Sequence, residues 1–148
     1  RGVTNKQREL FREYLSLLGL GLENRLQDNV ALLSGGQRQA LALLMSTIRK
    51  PQLLLLDEHT AALDPKTAEQ ISELTVRIVD RDKLTVLMVT HNLQQALSMG
   101  TRTLMMHEGE TVLDIRGPQR SRMDVEDLLD AFARVRGHKP VDDRILLA

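Results

Sequence analysis

The chain has 148 residues, enough for one ordinary globular domain with a real core and too few for two. Lys plus Arg number 20 and Asp plus Glu number 20, so the chain has no net charge to draw it to nucleic acid. With no cysteine it has neither a disulfide framework nor a thiolate metal site, which fits a reducing compartment.

Thr4 and Gln7 form a capping-box pair ahead of a first predicted helix. Leu10, Phe11, Tyr14, Leu15 and Leu18 share one face of it, and Gly19 or Gly21 ends it. A second helix is predicted from Ser34 to Arg49, stopped by Pro51. Its body, from Ala40 through Leu41, Leu43, Leu44 and Met45 to Ile48, is apolar nearly all round, which predicts burial on most sides. The run Leu53–Leu56 lacks alternation, as in a strand covered on both faces, and breaks off at Asp57-Glu58. Asp64-Pro65 supplies an N-cap and a first-turn proline for a helix that turns Ala68, Ile71, Thr75, Ile78 and Val79 inward. Leu84–Val89 reads as another buried strand ending in Thr90-His91, and a short helix over Leu93–Met99 closes at Gly100. The strand–helix–strand order makes the two strands parallel with a right-handed crossover, adjacent or not. Thr103–His107 and Glu110–Ile115 flank Glu108-Gly109, a tight hairpin turn. Asp124 caps a last helix with Val125, Leu128, Leu129, Phe132 and Val135 inward, ended by Gly137, and residues 138–148 read as a loose tail. The longest apolar runs, Ala40–Met45 and Leu53–Leu56, fall far short of a membrane span. The opening Arg1–Arg12 is polar and charged, unlike a signal peptide, and a first residue that is not Met suggests a fragment or a processed chain. These features describe a soluble, cytoplasm-like domain.

Three features carry chemistry. Leu33-Ser34-Gly35-Gly36-Gln37 stands at a helix start, where glycines admit a ligand to the backbone and free N–H groups favour an anion such as phosphate. Taken alone, Ser34 with Gln37 is equally an ordinary capping box. Asp57 and Glu58 end a strand, where open α/β sheets place ligands. There Asp57 can hold Mg²⁺, directly or through water, and Glu58 can polarise a water for attack on a phosphoryl group. The same pair is also what a solvated loop entrance looks like. His91, ending the second strand, can reach a terminal phosphate, although a lone histidine is more often a hydrogen-bonded structural residue. The same holds for His59, His107 and His138, which take no functional role.

The order of these features changes their weight. Ser34 precedes Asp57 by 23 residues, Ala61-Ala62-Leu63-Asp64 follows Glu58, and His91 lies 33 residues beyond Glu58. From about Thr4 to Val135 this series resembles the ABC ATPase family. LSGGQ looks like its signature motif, LLLLDE like its Walker B strand with the catalytic glutamate, AALD like its D-loop, and His91 like its switch histidine. DEHTAALDPKTAE, with MVTHN and MMHEG downstream, is similar to poorly characterised bacterial importers grouped with tryptophan/tyrosine systems. His59 stands where many members have proline, and Ala61 where many have serine. No G-x-x-x-x-G-K-[ST] occurs, nor the glutamine loop or the adenine-stacking aromatic that precede the signature in the family. The resemblance therefore implies the C-terminal part of an ATP-binding subunit, its N-terminal half lying outside these residues.

What the resemblance implies is an α/β fold. It is a partial P-loop NTPase (RecA-like) core with part of the helical signature subdomain, without the Walker A half. Residues 1–45 fall in the helical subdomain, 46–137 in the core and 138–148 in the tail. The ligands implied are ATP and Mg²⁺. Glu58 and His91 are catalytic, Asp57 is the metal ligand, and Ser34, Gly35, Gly36, Gln37 and Asp64 bind nucleotide. The partners implied are a second ATPase subunit, in a head-to-tail dimer, and a transmembrane permease on the cytoplasmic face of the membrane. Alone, the chain is expected to hydrolyse little ATP and to self-associate through an uncovered strand edge. Two other readings remain. One is an ABC-class ATPase of DNA repair or chromosome structure, although Thr4–Leu18 is too short for a coiled-coil arm. The other is a degenerate, non-catalytic module, against which the retention of both Glu58 and His91 argues.

Overall fold

The computed structural model describes residues 3–135, which form two compact units, the first running through Met88 and the second starting at Val89.

In the first unit, helix α1 (Asn5–Ser16) starts from the expected capping box. The Thr4 hydroxyl accepts from the Gln7 N–H at 3.3 Å, and the Gln7 side-chain oxygen accepts from the Thr4 N–H at 2.9 Å. Leu15 and Leu18 are buried, but Leu10 and Phe11, expected on the same inward face, are exposed. Helix α1 packs chiefly on the 3-10 turn at Leu22–Asn24 and on helix α2 (Gly35–Thr47), and only its C-terminal end reaches the core.

In α2 the buried residues Ala40, Leu43, Leu44 and Thr47 follow the i, i+3, i+4, i+7 spacing of one face. Met45 lies on the other side and is exposed, so the helix is one-sided rather than buried all round. Strand β1 (Leu53–Asp57) is hydrogen-bonded to strand β2 (Thr85–Val89), and helix α3 (Pro65–Asp82) connects them. Asp64 caps α3 by accepting from the Thr67 N–H at 3.1 Å, with Pro65 in the first turn, as the sequence implies. Leu54 and Leu56 join Ile71, Leu74 and Ile78 of α3 and Leu43 and Leu44 of α2 in one core. Each such side chain stabilises the fold by about 1.5–3 kcal/mol.

The two strands are not covered on both faces. Leu53 is 51% exposed, Leu55 65% and Leu87 54%, and in β2 the alternate residues Val86 and Met88 are only half-buried. An apolar run without alternation records that both sides of a strand are apolar. The α2 and α3 side chains in the core cover only the Leu54–Leu56 side.

In the second unit, helix α4 (Leu93–Ser98) stops just before Gly100 at φ 73°. Strands β3 (Arg102–His107) and β4 (Glu110–Arg116) form the expected antiparallel hairpin, with an irregular step between Met105 and Met106. Glu108 and Gly109 both have positive φ, 51° and 83°, as a tight primed turn requires. A short helix α5 (Gly117–Arg120), not read from the sequence, leads to helix α6 (Val125–Val135). Asp124 caps α6 by accepting from the Asp127 N–H at 2.9 Å, and the Asp127 carboxylate accepts from the Asp124 N–H at 3.1 Å. Leu128 is fully buried, and His107 meets Phe132 edge to face at 5.4 Å. The Val135 side chain, Gly137, His138 and the 138–148 tail lie outside the described residues. Among the described residues no helix is long and apolar enough to cross a membrane.

Arg120 ties this unit together. Its Nε donates to the Thr103 hydroxyl at 2.9 Å, and its Nη2 donates to the carbonyls of Met99 at 2.5 Å and Ala96 at 3.3 Å. Replacing it strands acceptors at the end of α4. Arg120→Met is therefore expected to lower the stability of the second unit by about 2 kcal/mol, read by denaturant unfolding followed at the β3 and β4 amides.

Candidate functional site

The Ser34–Gln37 turn opens α2. Ser34 is the N-cap, and its hydroxyl oxygen accepts from the Gln37 N–H at 3.2 Å while Gln37 Oε1 accepts from the Ser34 N–H at 3.1 Å. The Gln37 side chain also donates to the Leu20 carbonyl at 3.3 Å and accepts from Arg25 Nη1 at 3.2 Å. These bonds fasten the turn to the preceding loop. The first amide used inside the helix is that of Arg38, which donates to the Ser34 carbonyl. The Gly35 and Gly36 amides are thus among the N-terminal donors that a helix cannot use itself, at its positive end. The Ser34 hydroxyl can still donate its proton while accepting from Gln37.

The Gly36 backbone lies against α3. A Cβ added at Gly36 would stand 2.3 Å from Thr67 Cγ2, and one added at Gly35 would stand 3.3 Å from Leu63 Cδ2. The signature-like turn and the Asp64 cap are therefore packed against each other. The Asp64 carboxylate titrates below its usual range, chiefly because the Thr67 hydroxyl and then the Thr67 N–H hydrogen-bond to it.

Asp57 and Glu58 are both exposed at the end of β1. In an extended strand side chains alternate, so Glu58 would follow Leu54 and Leu56 onto the buried face. It does not, because Glu58 adopts φ 43°, a left-handed conformation that costs a non-glycine residue about 1–3 kcal/mol. The Ala61 N–H closes the turn on the Glu58 carbonyl at 3.0 Å. His59 takes the inward place instead, only 9% exposed, with its Nε2 3.2 Å from the Thr75 hydroxyl on α3. The sequence gives His59 no functional role and does not single out Arg120, since the partner of each is supplied by an element distant in the chain.

Burial lowers the His59 pKa below the ordinary 6.5. The folded unit therefore takes up this proton at lower pH than the unfolded chain does. Above about pH 6.5 both states are neutral here and His59 has no effect. As pH falls below that value only the unfolded chain gains the proton, and the first unit loses stability. His59→Gln is expected to flatten that part of the pH–stability curve, measured by denaturant unfolding from pH 7 to pH 5.

His91 belongs to the second unit and is exposed, between the end of β2 and the start of α4. Its neighbours hold the turn. The Asn92 side chain accepts from the Gln95 N–H at 3.0 Å, and the Thr90 hydroxyl accepts from the Asn92 N–H at 3.0 Å and donates to Gln95 Oε1 at 2.9 Å. Ser34, Gly35, Gly36, Gln37, Asp57, Glu58 and Asp64 all lie in the first unit.

Mg²⁺ takes one or two carboxylates and fills its remaining positions with water and phosphate oxygens. The exposed Asp57-Glu58 pair fits that donor set. No group of three or more His, Cys, Asp or Glu side chains suited to a metal occurs among the described residues, so an ion here would complete its shell from nucleotide and water.

Residues 3–61 match the family model described as ABC transporter. The tyrosine transport ATP-binding protein of Clostridioides difficile (strain R20291) is 50% identical over 115 residues, which is 78% of this chain and 46% of that protein. The aliphatic sulfonates import ATP-binding protein of Escherichia coli (strain K12) is 40% identical over 114 residues, 77% of this chain and 44% of that protein. An ABC transporter solved in an inward-facing conformation superposes with a TM-score of 0.69 at 25% identity, over 87% of this chain and 50% of that one. An ATP-binding cassette of an ABC transporter in its ADP conformation shares the fold with a TM-score of 0.71 at 21% identity, over 88% of this chain and 50% of that one. The chain spans less than half the length of these curated relatives. By family match, shared identity and shared fold, it belongs with the ATP-binding subunits of ABC transporters.

Proposed function

We propose that these residues supply the signature turn and the catalytic end of the Walker B strand to a subunit that hydrolyses ATP and drives solute import. The observation that carries this reading is the exposed Asp57-Glu58 pair at the end of a strand anchored in the core. In this reading Glu58 accepts a proton from the attacking water, and Asp57 would hold Mg²⁺, which neutralises charge on the phosphates when bound. His91 orients the water on the terminal phosphate. Ser34 and the Gly35 and Gly36 amides grip the γ-phosphate of the nucleotide held by a partner copy, with Gln37 fixing the turn and Asp64 lining the same seam. Two subunits then pair head to tail and work on a transmembrane permease from the cytoplasmic face of the membrane. Domain boundaries near residues 45 and 137 belong to the same reading.

The names of the relatives favour transport over the chromosome-structure alternative, and the C. difficile protein favours an aromatic amino acid as cargo. The 148 residues contain no phosphate-binding loop, so alone they are expected to bind nucleotide poorly. The exposed Leu53, Leu55 and Leu87 support self-association of the isolated chain, which light scattering would register.

Head-to-tail sharing has a specific test. A chimera in which this chain replaces the matching 115 residues of the C. difficile protein supplies the missing loop. Glu58→Gln and Ser34→Arg are each expected to silence it. Mixed, the two variants should recover turnover, because one site of the mixed dimer then has its wild-type Glu58 from one copy and its wild-type Ser34 from the other. Silence of the mixture while mixed dimers form would mean that both residues serve one site within a single copy.

A further inference from the structure

We propose that His59, through its hydrogen bond to Thr75, is the positioning residue that keeps the Glu58 carboxylate on the outside of the fold, an inference resting on the ATPase reading only for what Glu58 does there. The geometry is a parity argument. Leu54 and Leu56 are buried on one face of β1, and continuation of the strand would turn Glu58 onto that same face. The left-handed φ of Glu58 reverses the parity, exposing Glu58 and burying His59. A carboxylate with a backbone conformation that non-glycine residues rarely adopt is held there only if its neighbours over-determine it. On one side the Ala61 N–H binds the Glu58 carbonyl at 3.0 Å. On the other, the His59 ring is buried against α3 with Nε2 at 3.2 Å from Thr75 Oγ1.

The bond has a definite direction. Thr75 has one hydroxyl hydrogen, and it donates it to the Ile71 carbonyl at 2.7 Å. Thr75 Oγ1 can then only accept from the ring, so His59 carries its proton on Nε2. Thr75 is itself 1% exposed and sits among the core residues of α3, which makes it a rigid anchor. A core helix thus fixes the residue after Glu58, and through it the direction in which Glu58 leaves the strand.

The test uses this chain and no nucleotide. Thr75→Val keeps the shape of the side chain and removes the acceptor, and Thr75→Ser restores the hydroxyl. Three NMR signals are read. These are the imidazole nitrogen shifts of His59, the scalar couplings that report φ at Glu58, and hydrogen exchange at the Ala61 amide. Wild type and Thr75→Ser are expected to show the Nε2–H tautomer and a left-handed Glu58. Thr75→Val is expected to lose both, with exchange at Ala61 accelerated about tenfold or more while the α3 amides stay protected. An Nδ1–H tautomer in the wild type, or an unchanged Glu58 and Ala61 in Thr75→Val with the ring bond gone, would overturn the proposal. Failure of the ATPase reading would appear elsewhere, as turnover that survives Glu58→Gln in the chimera.

Discussion

Glu58→Gln is expected to lower ATP turnover by about a hundredfold or more in the C. difficile chimera, with nucleotide affinity within about threefold of the parent. Glutamine matches glutamate in size, so packing at the end of β1 is preserved and the left-handed turn can form. What is lost is the capacity to take a proton from the attacking water, a contribution that falls in the transition state rather than in ground-state binding. Glu58 is exposed at the strand end, which makes a purely structural loss of activity unnecessary to the explanation. Turnover near the parent level would remove Glu58 from catalysis. Equal losses in turnover and affinity would point to a binding role instead.

Gly36→Ala is expected to destabilise the first unit by about 1–3 kcal/mol. The new methyl would stand 2.3 Å from Thr67 Cγ2, well inside van der Waals contact, in a place where α2 and α3 are already packed. Thr67→Ser removes that methyl while retaining the hydroxyl and the N–H that hold the Asp64 carboxylate. The double variant should therefore recover most of the lost stability, and a double-mutant cycle by denaturant unfolding gives the coupling. Additive losses would mean that the close approach of the two helices is not what requires glycine at 36. The prediction matters for function because it separates two uses of one residue. A Gly36→Ala chain restored in stability by Thr67→Ser but defective in the chimera would reserve the glycine for nucleotide as well.

The features that local chemistry dictates were legible in the residues. Both capping boxes, Thr4 with Gln7 and Ser34 with Gln37, formed as read, as did the Asp64-Pro65 helix start and the Glu108-Gly109 turn. Each depends on residues three or four apart, so no distant partner can overrule it. The candidate residues Ser34, Asp57, Glu58 and Asp64 were visible for the same reason, since they stand at element ends. Burial was read less well. Leu53, Leu55, Met45, Leu10 and Phe11 look like core residues in sequence and are exposed here, because apolar character does not reveal which element arrives to cover it. Conversely, His59 reads only as a lone hydrogen-bonded structural histidine with no partner named, and Arg120 is not singled out at all. Their partners, Thr75 for one and Ala96, Met99 and Thr103 for the other, lie 16 to 24 residues away in the chain. The reversal of side-chain parity at Glu58 was equally hidden, since a strand that stops at an acidic pair carries no sign of a left-handed residue.

The measurement that bears most directly on the division of labour proposed here is equilibrium binding of a fluorescent ATP analogue to this chain, with and without Mg²⁺. If the phosphate cradle lies outside these residues, no saturable binding occurs up to millimolar nucleotide. Tight binding that requires Mg²⁺ and is lost in Asp57→Asn would contradict it, and would place a complete phosphate site within these 148 residues.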